Sequence, residues 1–334
     1  MQKILIIQLR QLGDIILTTP CLRELRAAYP EAKIDFLAHG MGKLILNDNP
    51  YLNHLYTYSE ADPILSQLRL MKKLRSQKYD LVLDFMYNPR SALLAWSTGS
   101  KKRMAFKSRR SKFFTDLVPA PEKSDYIVRE KFHYLRYLGL EPKDESLVLP
   151  WFENHLEPYL KSRDELFPDS SALRVVLSPT HRRQERQWPK KMYAQLADYL
   201  VSKWNAQVVW IWGPGEKEFV EEVQSYCKEA SSLAPQTSFR ELAAFIANCD
   251  LFVGNSNGPS HVAVSCQTPS LQLHGPTLSK AWCPENHLHH GIQMKKMADI
   301  SLEQVQKALE GMRSVLQKRV EARLDKGDRM KWNS

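Results

Sequence analysis

Four segments of the sequence combine residue types that could do chemistry. In Gly254-Asn255-Ser256-Asn257-Gly258-Pro259-Ser260-His261, glycine permits close backbone approach, Ser and Asn favour helix N-caps, and proline fits a first helical turn. Exposed N–H groups and the helix dipole then suit a phosphate or diphosphate; a capped helix that binds nothing is the alternative. The segment Thr180 to Pro189 brings His181, Arg182, Arg183 and Arg186 together. Guanidinium forks match phosphate geometry, so a diphosphate leaving group is a fitting ligand, against a merely solvated loop. In Gly213-Pro214-Gly215-Glu216, the carboxylate could accept hydrogen bonds from ribose hydroxyls or simply favour a helix dipole. In Arg10-Gln11-Leu12-Gly13-Asp14, Asp14 could take a proton from an attacking hydroxyl or cap a helix.

Such segments need strands and helices to hold them, and the apolar pattern supplies both. In the first half, Lys3–Leu9, Ile34–Ala38 and Leu81–Asp84 read as strands. Helical patterns run over Ile15–Tyr29, Ile64–Gln77 and Ser91–Ser97. A less regular zone from Pro119 to Pro168, with a helical piece at Arg129–Leu138, marks the domain boundary. The rhythm then restarts, with strands expected at Val175–Ser178, Gln207–Trp212, Leu251–Val253 and Ser270–Leu273. The helices between them are expected at Lys190–Trp204, Glu216–Cys227, Phe239–Asn248 and Pro259–Ser265. This alternation predicts an α/β chain of two Rossmann-like, doubly wound domains facing an interdomain cleft, with the four segments at strand ends. The boundaries are drawn at 1–165 and 172–310, with a basic helix or tail over 311–334.

A length of 334 residues suits two domains. The longest apolar runs, such as Lys3–Ile7 and Val208–Trp212, fall far short of the roughly 20 residues that span a bilayer. The start lacks the order of a secretory signal, so a cytoplasmic protein is expected. Five widely spaced cysteines, without a CxxC pair, read as buried thiols, and no metal site is expected. A formal net charge of +10 predicts an anionic partner, and no nucleic-acid motif accompanies it. The basic runs lie at Lys101 to Lys112 and Arg313 to Lys331.

Taken in order, the motifs resemble glycosyltransferase family 9, the heptosyltransferase family. The resemblance rests on Leu12-Gly13-Asp14-Ile15, Thr19-Pro20 and Leu22, then Asp80 to Asp84 with Arg90-Ser91. It continues through Trp188-Pro189, Tyr193-Ala194, Gly213-Pro214-Gly215-Glu216, Gly258-Pro259-Ser260-His261 and His274-Gly275-Pro276-Thr277. It implies the GT-B fold and inverting, metal-independent transfer from a nucleotide sugar, ADP-heptose in the family, to the inner core of lipopolysaccharide, with no cofactor. Asp14 matches the family's general base, Arg186 its basic residue before Trp-Pro, and Glu216 its ribose-binding acid. Thr180, Arg182, Gly213, Ser256, Asn257, Gly258 and His261 complete the implied donor site. Gly13 and Arg90 are the implied contacts to an anionic glycolipid acceptor.

The chain departs from that pattern at Ser256, where many members carry an aspartate that contacts the donor. A serine forfeits a charge-assisted hydrogen bond worth about 1.5 to 3 kcal/mol. A family member with an altered donor, or one that binds a nucleotide sugar or glycan without turnover, is therefore the alternative. An unrelated sugar-nucleotide epimerase fits less well, because the first strand is not followed by G-x-G-x-x-G. The tail mixes Met312, Val315, Leu316, Val320 and Leu324 with Arg and Lys, so it could lie peripherally on an anionic membrane or pack back as a helix.

Overall fold

The computed structural model describes residues 1–108 and 111–326. The chain divides into two units, Met1–Leu149 and Pro150–Ser334. The first contains β1 (Lys3–Gln8), α1 (Leu12–Ile16), α2 (Thr19–Ala28), β2 (Lys33–His39), α3 (Lys43–Leu46) and β3 (His54–Tyr58). It continues with α4 (Ile64–Ser76), β4 (Leu81–Asp84), α5 (Pro89–Ser97), β5 (Lys102–Phe106), β6 (Asp116–Val118) and α6 (Ile127–Tyr137). Its strands form one parallel sheet in the order β3-β2-β1-β4-β5-β6. The central strands β1 and β4 are buried along almost their whole length, as expected of a sheet covered on both faces.

The expected single helix over Ile15–Tyr29 is instead two, α1 and α2. Pro20 has no N–H to give the carbonyl four residues back, and its ring crowds that carbonyl. The hydroxyl of Thr19 fills the vacancy, donating to the Ile16 carbonyl at 2.7 Å. The break at Leu17 and Thr18 leaves α1 as a short platform for the β1 loop.

The second unit begins with α7 (Glu157–Leu166), inside the zone read as irregular, followed by β7 (Leu173–Ser178), α8 (Lys190–Trp204), β8 (Ala206–Trp210) and α9 (Lys217–Ser225). Then come β9 (Ser232–Leu233), α10 (Phe239–Ala247), β10 (Leu251–Asn255) and α11 (Gly258–Ser265). The remaining elements are β11 (Ser270–His274), α12 (Ser279–Trp282), β12 (His289–Gln293) and α13 (Leu302–Lys326). The sheet is again parallel, in the order β12-β11-β10-β7-β8-β9. In each unit the chain leaves its first strand on one side and later returns on the other. The reversal falls between β1 and β4 in the first unit and between β7 and β10 in the second.

Helix α13 packs back on the second unit against α8 and β12. Val305, Leu309, Met312 and Leu316 are buried along one stripe, so two of the tail's apolar residues are committed to the core and Leu324 stays exposed. Near its end, Arg323 grips the fully buried Asp250 through Nε (3.0 Å) and Nη2 (2.9 Å), and also donates to the carbonyls of Ser170 and Ala172. Residues 327–334 of the expected tail lie outside the described residues. Among the described residues no helix is long and apolar enough to cross a membrane. Cys21, Cys249 and Cys283 are buried, while Cys227 and Cys266 are partly so; burial pushes the Cys21 thiol up to about 12.

Candidate functional site

In an open parallel sheet, the loops beyond the carboxyl ends of the two strands flanking the reversal splay apart and leave room for a ligand. In the second unit those are the loops after β7 and β10, which carry Thr180 to Trp188 and Ser256 to Gly258. Two asparagines join them. Asn255, fully buried, donates to the Pro179 carbonyl (2.8 Å) and accepts from the Trp188 amide and the Tyr193 hydroxyl (both 3.1 Å). Asn257 donates to the Ser178 hydroxyl (3.1 Å) and the Thr180 carbonyl (2.9 Å). It also N-caps α11, accepting from the Ser260 amide while Ser260 Oγ takes the Asn257 amide. That amide is thus already engaged. A Cβ at Gly254 would stand 2.8 Å from that of Ser178, its register partner on β7, so this glycine admits the neighbouring strand.

The third loop, after β8, is tied to the first by Glu216. Its Oε2 accepts from the Thr180 hydroxyl at 2.8 Å and the Gly213 amide at 2.9 Å. Three of the expected donor residues, Thr180, Gly213 and Glu216, therefore form one hydrogen-bonded group. Glu216 sits at the N-cap of α9 without a side-chain capping bond, so its carboxylate is directed to the loops. A left-handed Gly215 (φ 77°) makes the preceding turn.

The basic loop is held at its far end by Trp188, buried with its indole N–H donating to the Ile300 carbonyl at 2.9 Å. Arg182 is exposed and Arg186 half-buried. Burial first, and then the neighbouring Arg183, disfavour the charge on Arg186. Its Nε is buried without a hydrogen-bond partner among the described residues. His181 is likewise held below the usual imidazole range by burial and then by Arg186, and its Nδ1 accepts from the Arg183 amide. The loop thus concentrates cations at the reversal. A cavity of about 570 Å³ lies beside it, lined by Arg182, Gln184, Gln187, Lys190 and Phe219 among others. Ser256 is partly exposed, with its amide donating to the Leu273 carbonyl. His261 is buried on α11 against the ring of Trp282, centroids 6.0 Å apart. Gly258 starts α11, and a Cβ there would meet nothing closer than the Phe239 ring at 3.8 Å.

In the first unit the equivalent loops follow β1 and β4. Asp14 is the third residue of α1, not its cap, which is Gln11; the capping alternative is therefore excluded. Its carboxylate is 16% exposed and lies 3.7 Å from Arg10. Gly13 precedes it in the same turn. Beneath the turn lies Lys131 of α6, buried, donating to the Asp14 carbonyl (2.8 Å) and the Thr18 hydroxyl (2.6 Å). Burial pulls this ammonium down to about 8, with Asp14 the largest opposing influence. After β4, Asp84 is fully buried and pushed up to about 6 by burial, against hydrogen bonds from Ser91 and the amides of Met86 and Tyr87. It shapes the loop leading to Arg90, in the first turn of α5. Arg90 pairs with Glu60 and lies over the Tyr58 ring at 5.9 Å.

Lys131, Asp84 and Asn255 were not singled out from sequence. Lys131 left a signal: Val128, Lys131, Phe132 and Leu135 form the buried i, i+3, i+4, i+7 stripe of α6, so a cation stands where an apolar residue belongs. Among the described residues, no group of three or more His, Cys, Asp or Glu side chains could hold a metal ion.

Comparison with known proteins agrees with this architecture. Residues 67–310 match the family model for glycosyltransferase family 9 (heptosyltransferase). The chain is 32% identical over 294 residues to lipopolysaccharide heptosyltransferase 3 of Escherichia coli K12, covering 83% of each protein. Among solved structures it resembles a family 9 glycosyltransferase from Veillonella parvula, with TM-score 0.80 and 23% identity over 95% of this chain and 97% of that one. It also resembles the E. coli heptosyltransferase WaaC with ADP-2-deoxy-2-fluoro heptose, with TM-score 0.71 and 17% identity over 92% and 99%. The fold is GT-B, and the chain belongs to glycosyltransferase family 9, the heptosyltransferase family.

Proposed function

We propose that this glycosyltransferase moves a heptose from ADP-heptose onto an anionic lipopolysaccharide inner-core acceptor at the cytoplasmic side of the membrane, with inversion and without a metal. In this reading residues 172–310 hold the donor and residues 1–165 the acceptor. The observation that carries it is the half-buried Arg186, its Nε unpartnered among the described residues in a loop of three arginines. Such a loop is stabilised by an anion and would neutralise the charge that develops on a departing nucleoside diphosphate. The name of the E. coli relative, a lipopolysaccharide heptosyltransferase, supports the sugar and the acceptor class.

The proposed step is a single displacement. An acceptor hydroxyl attacks the anomeric carbon from the face opposite the diphosphate while Asp14 takes its proton. The bond between the anomeric carbon and the phosphate oxygen breaks, and ADP leaves with the electron pair, held by Arg186 and Arg182. Glu216, already oriented by Thr180 and Gly213, would hold the ribose. Ser256, Asn257, Gly258 and His261 would line the sugar and phosphates, and Gly13 and Arg90 the acceptor.

The test is transfer by the purified protein from ADP-heptose to a defined heptosylated core acceptor, with the product's anomeric configuration read by NMR and the rate compared with and without chelator. Loss of about 10²-fold or more in Asp14→Asn supports the base assignment, and full activity in that variant refutes it. Ser256 favours one second reading, an altered donor. If Ser256→Asp raises turnover of ADP-heptose over another nucleotide sugar, the altered-donor reading gains; an unchanged preference removes it.

A further inference from the structure

Helix α4 buries Leu74 and partly covers Leu70 and Met71 against the first unit's core. Its other face is also apolar. Ile64 is 76% exposed, Leu65 67% and Leu68 54%. Helix α5 packs beside it and adds Leu93 and Trp96, the latter 56% exposed. Exposed large apolar side chains are ordinary when scattered, but a contiguous set on adjoining helices marks an interaction surface. Along α4 the outward line passes from Ile64 to Leu68, Lys72 and Arg75 at helical spacing, so the apolar half continues directly into a cationic half.

The charge pattern selects the partner. Helix α4 carries Arg69, Lys72, Lys73 and Arg75 and no carboxylate; the exposed acids Glu60 and Asp62 precede its first turn, and Glu60 is paired with Arg90 of α5. A protein partner of mixed surface charge does not require that imbalance. An anionic bilayer does: apolar side chains enter the acyl boundary while Lys and Arg meet the headgroups, and an aromatic ring such as Trp96 favours the interface. The C-terminal tail, read from sequence as able either to lie on a membrane or to pack back as a helix, spends Met312 and Leu316 on the core.

We propose that the α4–α5 face of the first unit is the membrane-docking surface, with Ile64, Leu65 and Leu68 inserting and Arg69 and Lys72 contacting anionic lipid headgroups. Such docking would present a lipid-anchored acceptor to the unit assigned to bind it. The surface stands on exposure and charge alone, so it can fail or hold independently of the proposed donor and acceptor.

The experiment is co-sedimentation of the full chain with vesicles of phosphatidylglycerol and phosphatidylethanolamine, against pure phosphatidylcholine. Wild type is expected to pellet with the first and remain free of the second. Ile64→Ser/Leu65→Ser/Leu68→Ser is expected to weaken vesicle binding at least about tenfold, and Arg69→Ser/Lys72→Ser to weaken it most at low ionic strength. These residues are exposed, so both variants should melt as wild type does. Transfer to a delipidated acceptor should be unchanged in the triple variant, while transfer to an acceptor embedded in vesicles falls. Wild-type binding by the triple variant, or no anionic-vesicle binding by wild type, overturns the proposal. So does a wild-type dimer that the triple variant converts to monomer, because a second copy would then be the occupant.

Discussion

Replacing Lys131 by methionine should alter the pH dependence of stability in a calculable way. The ammonium is 5% exposed, and burial pulls it from 10.5 to about 8. Because the folded pKa is depressed, the folded chain releases this proton first. Between about pH 8 and 10.5 the unfolded state binds more protons, so stability rises with pH across that window. The gap of about 2.5 pH units corresponds to about 3 kcal/mol, of which about 2 kcal/mol has accrued by pH 9.5. Methionine has no such proton, and the Asp14 carbonyl still accepts from Thr18 Oγ1 at 2.8 Å. Urea unfolding of both proteins at pH 7, 8.5 and 9.5 gives the difference directly. Buried tyrosines and cysteines titrate alike in the two, so the difference isolates the lysine. It should move in favour of wild type by about 2 kcal/mol from pH 7 to 9.5. Parallel stability curves would show that the ammonium is not held in a desolvated site beneath Asp14.

Glu216→Gln weakens the acceptor of Thr180 and Gly213 and of the proposed ribose; the donor KM should rise about five- to tenfold with kcat nearly unchanged in initial-rate assays. His274 is fully buried and held down to about 4 by burial, so its contribution to stability is complete above about pH 6.5 and lost as pH falls toward 4. His274→Leu should remove up to about 3 kcal/mol of that acid sensitivity in denaturation curves. Arg323→Ala leaves Asp250 buried without its guanidinium and should cost about 3 to 5 kcal/mol, read as a lower denaturant midpoint.

The strands easiest to read were those buried on both faces. β1, β4, β7, β8, β10 and β11 present apolar runs because neither face meets water. The strands passed over were β3, β5, β6, β9 and β12, edge or near-edge strands such as His54–Tyr58 and His289–Gln293, whose polar residues hide the period. The site was legible wherever a loop's composition itself was unusual, as in the arginines after β7. What composition could not show was pairing across loops: Asn255 looked like one member of a turn, and its grip on Pro179 and Trp188 depends on residues 76 and 67 positions away. The break before Pro20 was visible as a residue but not as a consequence, because its repair by Thr19 requires the three-dimensional turn. Lys131 stood in an apolar stripe, and its reason became visible only with the Asp14 carbonyl above it.

The clasp between Arg323 and Asp250 also bears on synthesis. The two residues are separated by 73 positions, so at about 5 to 20 residues per second the ribosome needs roughly 4 to 15 s to pass from one to the other. Throughout that interval the nascent second unit has its acid but not its base, and the stripe that α13 covers is still open. A chaperone bound early could shield that incomplete layer until the final helix arrives, whereas the first unit has all its strands long before. Ribosome stalling in that stretch should therefore prolong protease sensitivity in one half of the molecule and spare the other.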